Sequence, residues 1–444
     1  MMRPKLSWSD LRGARVGVWG LGREGRASLR KLQTLDAEPV PVDDNPGEPG
    51  VLGLGNGGLA ALQRCDVVVK TPGVSRYRPE VARLSRLGIP VVGGLGLWLA
   101  EADLRRVLVV TGTKGKSTTA SVAGHLLTGL GGSCLVGGNI GVVPYDPAGG
   151  ADADYWVIEV SSYQATDLPC SPPVVAVTAL HPDHLDWHGG AERYYRDKLS
   201  ACSQPGADLT VANGDSDVLA ARAGLLGPRV EWVSADDDPG ADWMEPLGLR
   251  GRHNRRNVLI ARRCLAALGI PGAGDAAALR AAAVGYRGLP SRLATIGIVA
   301  GVTFVDDSLA TNVLPTLAAL DSFPGRRIAL IVGGHDRGID YAPLAAAVLS
   351  RRAPTFVLTL PDSGPRIGAA IARAAARAGA DGHAVTGCAD LETAVARAFG
   401  WARPDGVVLL SPAAPSFGRY RDYRHRSEAF ARAMSRLATD HRGT

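Results

Sequence analysis

The segment Val107-Leu-Val-Val-Thr-Gly-Thr-Lys-Gly-Lys-Ser-Thr-Thr119 constrains the fold most, because an apolar strand runs through a glycine-lysine-serine loop into a helix start. Gly112 and Gly115 let backbone N–H groups approach a triphosphate, and Lys116 can reach its β- and γ-phosphates. Ser117 can hold Mg²⁺, and the helix beginning near Ser117 adds its positive dipole end. The expected ligand is ATP or GTP. The spacing Gly-x-x-Gly-Lys-Ser is shorter than the general phosphate-loop pattern. A Gly/Lys-rich surface turn is the competing reading, and the preceding β run and the helical pattern over residues 119–127 disfavour it.

Strands alternate with Ala/Leu/Arg-rich helices along the whole chain, which predicts an α/β protein with parallel sheets covered on both faces. With 444 residues and 46% hydrophobic content, about three domains can each bury a core. The six cysteines show no Cys-x-x-Cys spacing, so neither a zinc knuckle nor a disulfide framework is expected, and a reduced cytoplasm is the expected compartment. The N-terminus lacks an apolar signal region and no run of about 18 apolar residues occurs, so no membrane association is expected. A net charge of +6 from dispersed arginines favours small anionic ligands over nucleic acid.

Three segments restart the strand–helix pattern. The first begins at Arg15-Val-Gly-Val-Trp19, continues through Gly20-Leu-Gly-Arg-Glu-Gly25, and its second strand ends at Asp43 and Asp44. This is a dinucleotide-type fingerprint, and the same helix N-terminus could hold the diphosphate of UDP. Later, Asp66-Val-Val-Val-Lys-Thr-Pro-Gly-Val-Ser75 runs a buried strand into a turn. The second segment opens at about Val107, includes strands at Tyr155–Val160 and Val174–Leu180, and ends near Leu289-Pro290-Ser291-Arg292 after a helix at 257–268. The third contains strands near Val302–Val305, Arg327–Val332, Thr355–Leu360 and Val407–Leu410.

Ionisable groups cluster at strand ends. Glu159 closes Tyr155-Trp-Val-Ile-Glu159, where a phosphate-loop domain commonly places an Mg²⁺ ligand, although a salt-bridged glutamate is an equal reading. The next strand ends in Leu180-His-Pro-Asp-His-Leu-Asp-Trp-His188, from which His184 and Asp186 could reach the same site. His181, Asp183 and His188 suit a polar, capped loop equally well. Lys198 alone reads as an exposed helical lysine. In the third segment, the turns after Val305, Ile331 and Leu410 should meet at one sheet edge, forming a pocket in which Thr311, Arg337 and Ser416 could bind an acidic small molecule. Arg337 could grip a carboxylate bidentately.

Taken in order, the 111–118 loop, Gly138-Asn-Ile-Gly141, Glu159-Val-Ser-Ser-Tyr-Gln164, His184-Leu-Asp186, Lys198, His253-Asn-Arg-Arg-Asn257, Arg292 and Asp307-Ser308 resemble the Mur ligases, ATP-dependent amide-forming enzymes of peptidoglycan precursor synthesis. The resemblance spans nearly the whole chain and is strongest to the glutamate-adding branch. It implies three domains: a Rossmann-like UDP-substrate-binding domain at 1–103, a central phosphate-loop ATPase domain at 104–294, and a Rossmann-like amino-acid-binding domain at 295–444. It places ATP on Gly112, Thr113, Lys114, Gly115, Lys116, Ser117, Thr118, Asn257, Arg292 and Asp307. Gly22, Arg23, Thr71 and Asn139 would serve the UDP substrate, and Thr311, Arg337, Ser416 and Phe417 would serve glutamate. Lys116, Glu159, His184 and Lys198 would be catalytic, with Ser117, Glu159, His184 and Lys198 supporting two Mg²⁺. Lys198 matches the lysine that the family carbamylates.

One departure bears on stereochemistry. D-glutamate-adding members usually carry lysine where this chain has Leu309 and Arg337, whereas Gly333-Gly-His-Asp-Arg-Gly338 and Ser411-Pro-Ala-Ala-Pro-Ser-Phe-Gly418 resemble a smaller branch that attaches L-glutamate to UDP-N-acetylmuramoyl-L-alanine. L-glutamate is therefore expected, with a separate epimerase acting afterwards and a monomeric enzyme; D-glutamate addition is the alternative. A folate polyglutamylating ligase shares the short loop but not the UDP-type first segment. A nicotinamide-dependent oxidoreductase would leave the phosphate loop unexplained, and a nucleotide switch would not need the acidic-histidine cluster.

Overall fold

Val107–Thr111 is buried at all five positions, as expected for a strand inside a parallel sheet with both faces covered. The computed structural model describes residues 3–149, 153–379 and 385–442. Among them the strands form three sheets. The first contains β1 (Arg15–Trp19), β2 (Glu38–Asp43), β3 (Leu52–Gly53), β4 (Val67–Lys70) and β5 (Val91–Gly93), all parallel, in the order β3-β2-β1-β4-β5. The second contains β6 (Val107–Thr111), β7 (Cys134–Gly138), β8 (Tyr155–Glu159), β9 (Val174–Val177), β10 (Leu209–Asn213) and β11 (Arg229–Val233). It too is parallel, in the order β11-β10-β9-β6-β8-β7.

By internal contacts, Met1–Leu247 with Asn254–Tyr286 forms one unit, which holds the first two sheets. A continuous core joins them: Trp8, Val16, Val18 and Leu97 pack in the same cluster as Val107, Val109, Ile158 and Val175. Beneath this join, Lys70 at the end of β4 pairs with Asp167 at 2.5 Å, both side chains nearly inaccessible. Partial compensation comes from Arg76, 3.6 Å from the other Asp167 oxygen.

Gly248–His253 with Arg287–Thr444 forms the second unit. Its sheet contains β12 (Ala294–Val299), β13 (Val302–Asp306), β14 (Ile328–Val332), β15 (Thr355–Thr359), β16 (Val385–Gly387) and β17 (Val407–Leu410), ordered β12-β13-β17-β14-β15-β16. The expectation of purely parallel sheets fails here, because β12 runs antiparallel to β13. The intervening Ala300 and Gly301 both have positive φ, which allows a two-residue hairpin at the sheet edge. Two cores flank this sheet, one around Val305, Leu330 and Leu344, the other around Phe304, Leu358 and Phe430.

Candidate active site

The loop from β6 to helix Lys116–Gly129 is shaped by two glycines. Gly112 has φ +129°, and a Cβ there would lie 2.3 Å from Thr178 Oγ1 and 2.9 Å from the Ala179 backbone. Gly115 has φ +91°, and its Cβ would meet Asn257 Oδ1 at 2.7 Å. Only glycine fits these conformations without strain. Thr178 donates to the Lys114 carbonyl at 2.6 Å, and Thr113 Oγ1 lies 2.7 Å from the Tyr194 hydroxyl, so side chains from outside the loop fix its path. Lys116 Nζ donates to the Thr113 carbonyl at 3.2 Å.

The strand ends beside this loop bring the acidic and basic groups together. Glu159, 1% exposed at the end of β8, accepts from Ser117 Oγ at 2.5 Å and from Asn139 Nδ2 at 2.6 Å. Lys198, 3% exposed on helix Ala191–Leu199, donates to the Gly112 carbonyl at 2.9 Å. It is thus buried against the phosphate loop, not exposed as its helical setting suggested. Burial, followed by the charge of Lys116, pushes its ammonium well below the ordinary lysine range. Asn257 is buried beside Gly115 on helix Arg252–Ala267.

His184 has left-handed backbone at φ 50° and precedes the short helix Leu185–His188. Its ring lies 5.0 Å from Tyr163, and Nε2 is 3.8 Å from Asp183, which also faces Lys114. Burial lowers the His184 pKa.

In the first sheet, Gly22 caps helix Arg23–Gln33, and Thr71 N donates to the Trp19 carbonyl. Arg23 donates to the carbonyls of Gly138 at 2.5 Å and Gly141 at 3.0 Å, locking the turn that carries Asn139. Asn139 itself is turned onto Glu159. Glu24, which the sequence reading passed over, accepts from Gln164 at 2.8 Å, and burial pushes its carboxyl up to about 7.

In the second unit, a cavity of about 250 Å³ lies at the C-terminal ends of β14, β15 and β17, lined by Gly333, Gly334, Ser416, Phe417, Arg419 and Arg426 among others. Ser416 and Phe417 are brought together there; Thr311 and the exposed Arg337 do not line it. Arg426 is 1% exposed and donates to the Ser308 carbonyl at 2.8 Å and the Ala414 carbonyl at 3.1 Å, fastening the 307–312 turn to the 411–418 turn. Asp307 accepts from Leu293 N at 3.1 Å and Ser411 Oγ at 2.7 Å, and burial pushes its carboxyl up to about 7, with Arg292 opposing. Arg292 lies between Ser291 and Leu293, both with left-handed backbone.

Sequence reasoning missed Thr178, Tyr194, Gln164, Asp197 and Arg426, and gave His188 no distinct role. Each acts through a partner distant in sequence or across a turn. Two local signals were available: the polar residue just before Lys198, and the capping-box spacing Ser161-Ser-Tyr-Gln164, which the structure forms.

Residues 110–272 match the Mur ligase middle domain and residues 291–414 match the Mur ligase glutamate ligase domain. A UDP-N-acetylmuramoyl-L-alanine--L-glutamate ligase of a Micromonospora species is 44% identical over 96% of this chain and 97% of that protein. One from Salinispora tropica is 42% identical over 96% and 98%. Among solved structures, the UDP-N-acetylmuramate-alanine ligase of Thermotoga maritima aligns with a TM-score of 0.57 at 18% identity over 95% of this chain and 99% of that one. The MurF ligase of the same organism, in complex with ADP, gives 0.56 at 14% identity over 98% and 97%. Near-full-length identity of this order, with the strand-end geometry above, has one reading: the chain belongs to the Mur ligase family.

Proposed function

We propose that the chain uses ATP to join L-glutamate to the alanyl carboxylate of UDP-N-acetylmuramoyl-L-alanine. The observation that carries this reading is the 44% identity across nearly the full length to a protein named for that activity. The Salinispora relative shares that name, which favours L- over D-glutamate. In this reading residues 1–103 bind the UDP substrate through Gly22, Arg23 and Thr71, residues 104–294 bind ATP, and residues 295–444 bind the amino acid. Asn139, Asn257, Arg292 and Asp307 serve the substrate and nucleotide, and Thr311, Arg337, Ser416 and Phe417 serve glutamate.

A carboxylate is a poor acyl donor, so the γ-phosphoryl group of ATP is first transferred to it, giving an acyl phosphate. Lys116 offsets the charge of that transfer, and the loop amides of residues 112–117 hold the phosphates. The neutral amine of glutamate then attacks the acyl carbon, and phosphate leaves from the tetrahedral intermediate.

The donor set fits Mg²⁺. The Glu159 carboxylate and Ser117 hydroxyl, hydrogen-bonded at 2.5 Å, would supply hard oxygen ligands. Among the described residues no group of three or more His, Cys, Asp or Glu could hold a metal, which suits an ion completed by phosphate oxygens. When bound, it would neutralise charge on the phosphates. His184 and Lys198 are the proposed residues for a second ion. The lowered pKa of Lys198 supports its carbamylation, since a neutral amine is the form that adds CO₂. No helix among the described residues is long and apolar enough to cross a membrane. We place the enzyme in the cytoplasm as a monomer, with an epimerase acting on its product.

The test is ADP release by the purified chain with ATP, Mg²⁺ and UDP-N-acetylmuramoyl-L-alanine, with L- or D-glutamate in parallel and products identified by mass. Turnover with L-glutamate alone is expected. Turnover with D-glutamate alone would refute the stereochemical assignment, and none with either would refute the substrate.

A further inference from the structure

A line of polar contacts in the first unit, buried except at Tyr77, takes no part in this chemistry. His188 is inaccessible to solvent, with Nδ1 2.6 Å from Asp197 Oδ2 and Nε2 3.0 Å from Ser162 Oγ. Tyr77 donates its hydroxyl to the other Asp197 oxygen at 2.6 Å. Because the Asp197 carboxylate accepts, His188 keeps its proton on Nδ1, and Nε2 accepts from the Ser162 hydroxyl. The order serine, histidine, aspartate is that of a hydrolase triad. Here, however, Ser162 is buried and the imidazole is enclosed by the rings of Tyr163, Trp187 and Tyr194, so no acyl group reaches the hydroxyl.

Its connections give the line another meaning. Ser162 opens the turn three residues after Glu159, Asp197 directly precedes Lys198, and His188 ends the short helix that follows His184. Tyr77 lies in the loop after β4 that begins at Thr71. Tyr194, edge-on to His188, also contacts Thr113 of the phosphate loop and lies 5.2 Å from the Lys198 nitrogen. From the other side, Glu24 holds Gln164 of the same turn as Ser162. An ordinary buried histidine needs only its two hydrogen bonds satisfied; here the links run to the segments that carry Glu159, His184 and Lys198 and to the loop that begins at Thr71.

We propose that Tyr77, Asp197, His188 and Ser162 form a positioning relay that fixes Glu159, His184 and Lys198 against one another and ties them to the UDP-substrate loop. The proposal rests on the ligase reading for the roles of those three groups. Displacements near 1 Å in such a site cost about a hundredfold in rate, and loss of outer partners of a metal site costs about tenfold to a hundredfold.

The test uses the full chain with Asp197→Asn, His188→Gln and Tyr77→Phe. Steady-state kinetics, melting temperature and hydrogen–deuterium exchange over residues 159–166 and 191–199 are measured for each. Asp197→Asn keeps the shape but removes the charge and leaves one acceptor oxygen for the two donors, His188 Nδ1–H and the Tyr77 hydroxyl. Tyr77 is 42% exposed, so Tyr77→Phe leaves packing intact. The expected result is a kcat about tenfold or more lower in the first two variants, with KM for ATP within about twofold of wild type. Tyr77→Phe should lower kcat less and raise exchange over 191–199. A kcat within about twofold of wild type in both Asp197→Asn and His188→Gln overturns the proposal, as does a loss that only tracks the folded fraction. If the wild-type chain turns over neither glutamate enantiomer, the ligase reading fails separately. Exchange then decides: faster exchange in the segment across the relay from each substitution supports it, and unchanged exchange in both segments overturns it.

Discussion

Asp307→Asn should make the C-terminal unit more stable above neutral pH. Asp307 is 8% exposed, and burial raises its carboxyl from 3.8 to about 7. A carboxyl raised on folding binds more protons in the native than in the unfolded state. Its stabilisation is therefore complete below about 3.8 and is lost as pH rises through about 7. At 1.36 kcal/mol per pH unit, the ionised group costs about 4 kcal/mol at pH 8. Asparagine removes that cost and can still accept from Leu293 N, while its amide donates to Ser411 Oγ, a hydroxyl free to turn toward Thr316. The variant should melt roughly 10 °C higher at pH 8, with the advantage shrinking toward pH 4. Calorimetry from pH 4 to 8, following the transition of this unit, reads the difference. A gap that stays constant across that range would refute the assignment of the cost to Asp307 ionisation. If Asp307 also serves the nucleotide, the stabler variant should be the slower enzyme.

Three further outcomes follow from the first unit. Gly112→Ala forces a Cβ to 2.3 Å from Thr178 Oγ1 at φ +129°, and should raise the dissociation constant for ATP about tenfold or more by calorimetry. Lys70→Ala leaves buried Asp167 with Arg76 3.6 Å away as its ion-pair partner and should cost up to about 3–5 kcal/mol in urea unfolding, whereas the apolar pair Lys70→Met with Asp167→Leu should recover much of it. Lys198→Met should retain the wild-type melting temperature, since a buried ammonium is replaced by an apolar chain of similar length, yet lower turnover about a hundredfold or more in the coupled ADP assay.

The legible parts of the site were those written locally. The loop at 111–118 declares itself because strand, glycines, lysine and helix are consecutive, and the strands at 107–111 and 407–410 coincide with their apolar runs. Apolar content predicts a strand over 174–180, but β9 ends at Val177, where the backbone leaves the sheet so that Thr178 and Ala179 can support the loop. β12 was missed: Ala294–Val299 carries an ordinary β pattern, but its antiparallel partner is set by the hairpin at Ala300-Gly301. Lys198 was misplaced on physical grounds as an exposed lysine because a helix sequence does not say which face is covered. Asp197 and Ser162 meet only through His188, and their sequence separation of thirty-five residues carries no periodic signal.

The electrostatics of the phosphate loop tie these residues together. Lys198 is depressed first by burial and then by Lys116, while Asp183 and, less strongly, Glu159 act in the opposite sense. Burial and the positive field of the loop thus push Lys198 toward a neutral amine, which can still donate to the Gly112 carbonyl. Asp183 and then Glu159 limit this push, and Glu159 is the group that Ser117 and Asn139 hold from either side. A change at Asn139 or Ser117 that displaces Glu159 would therefore also alter the balance at Lys198. In physical terms the two residues act as one unit, and substitutions at both should cost less than the sum of the single effects.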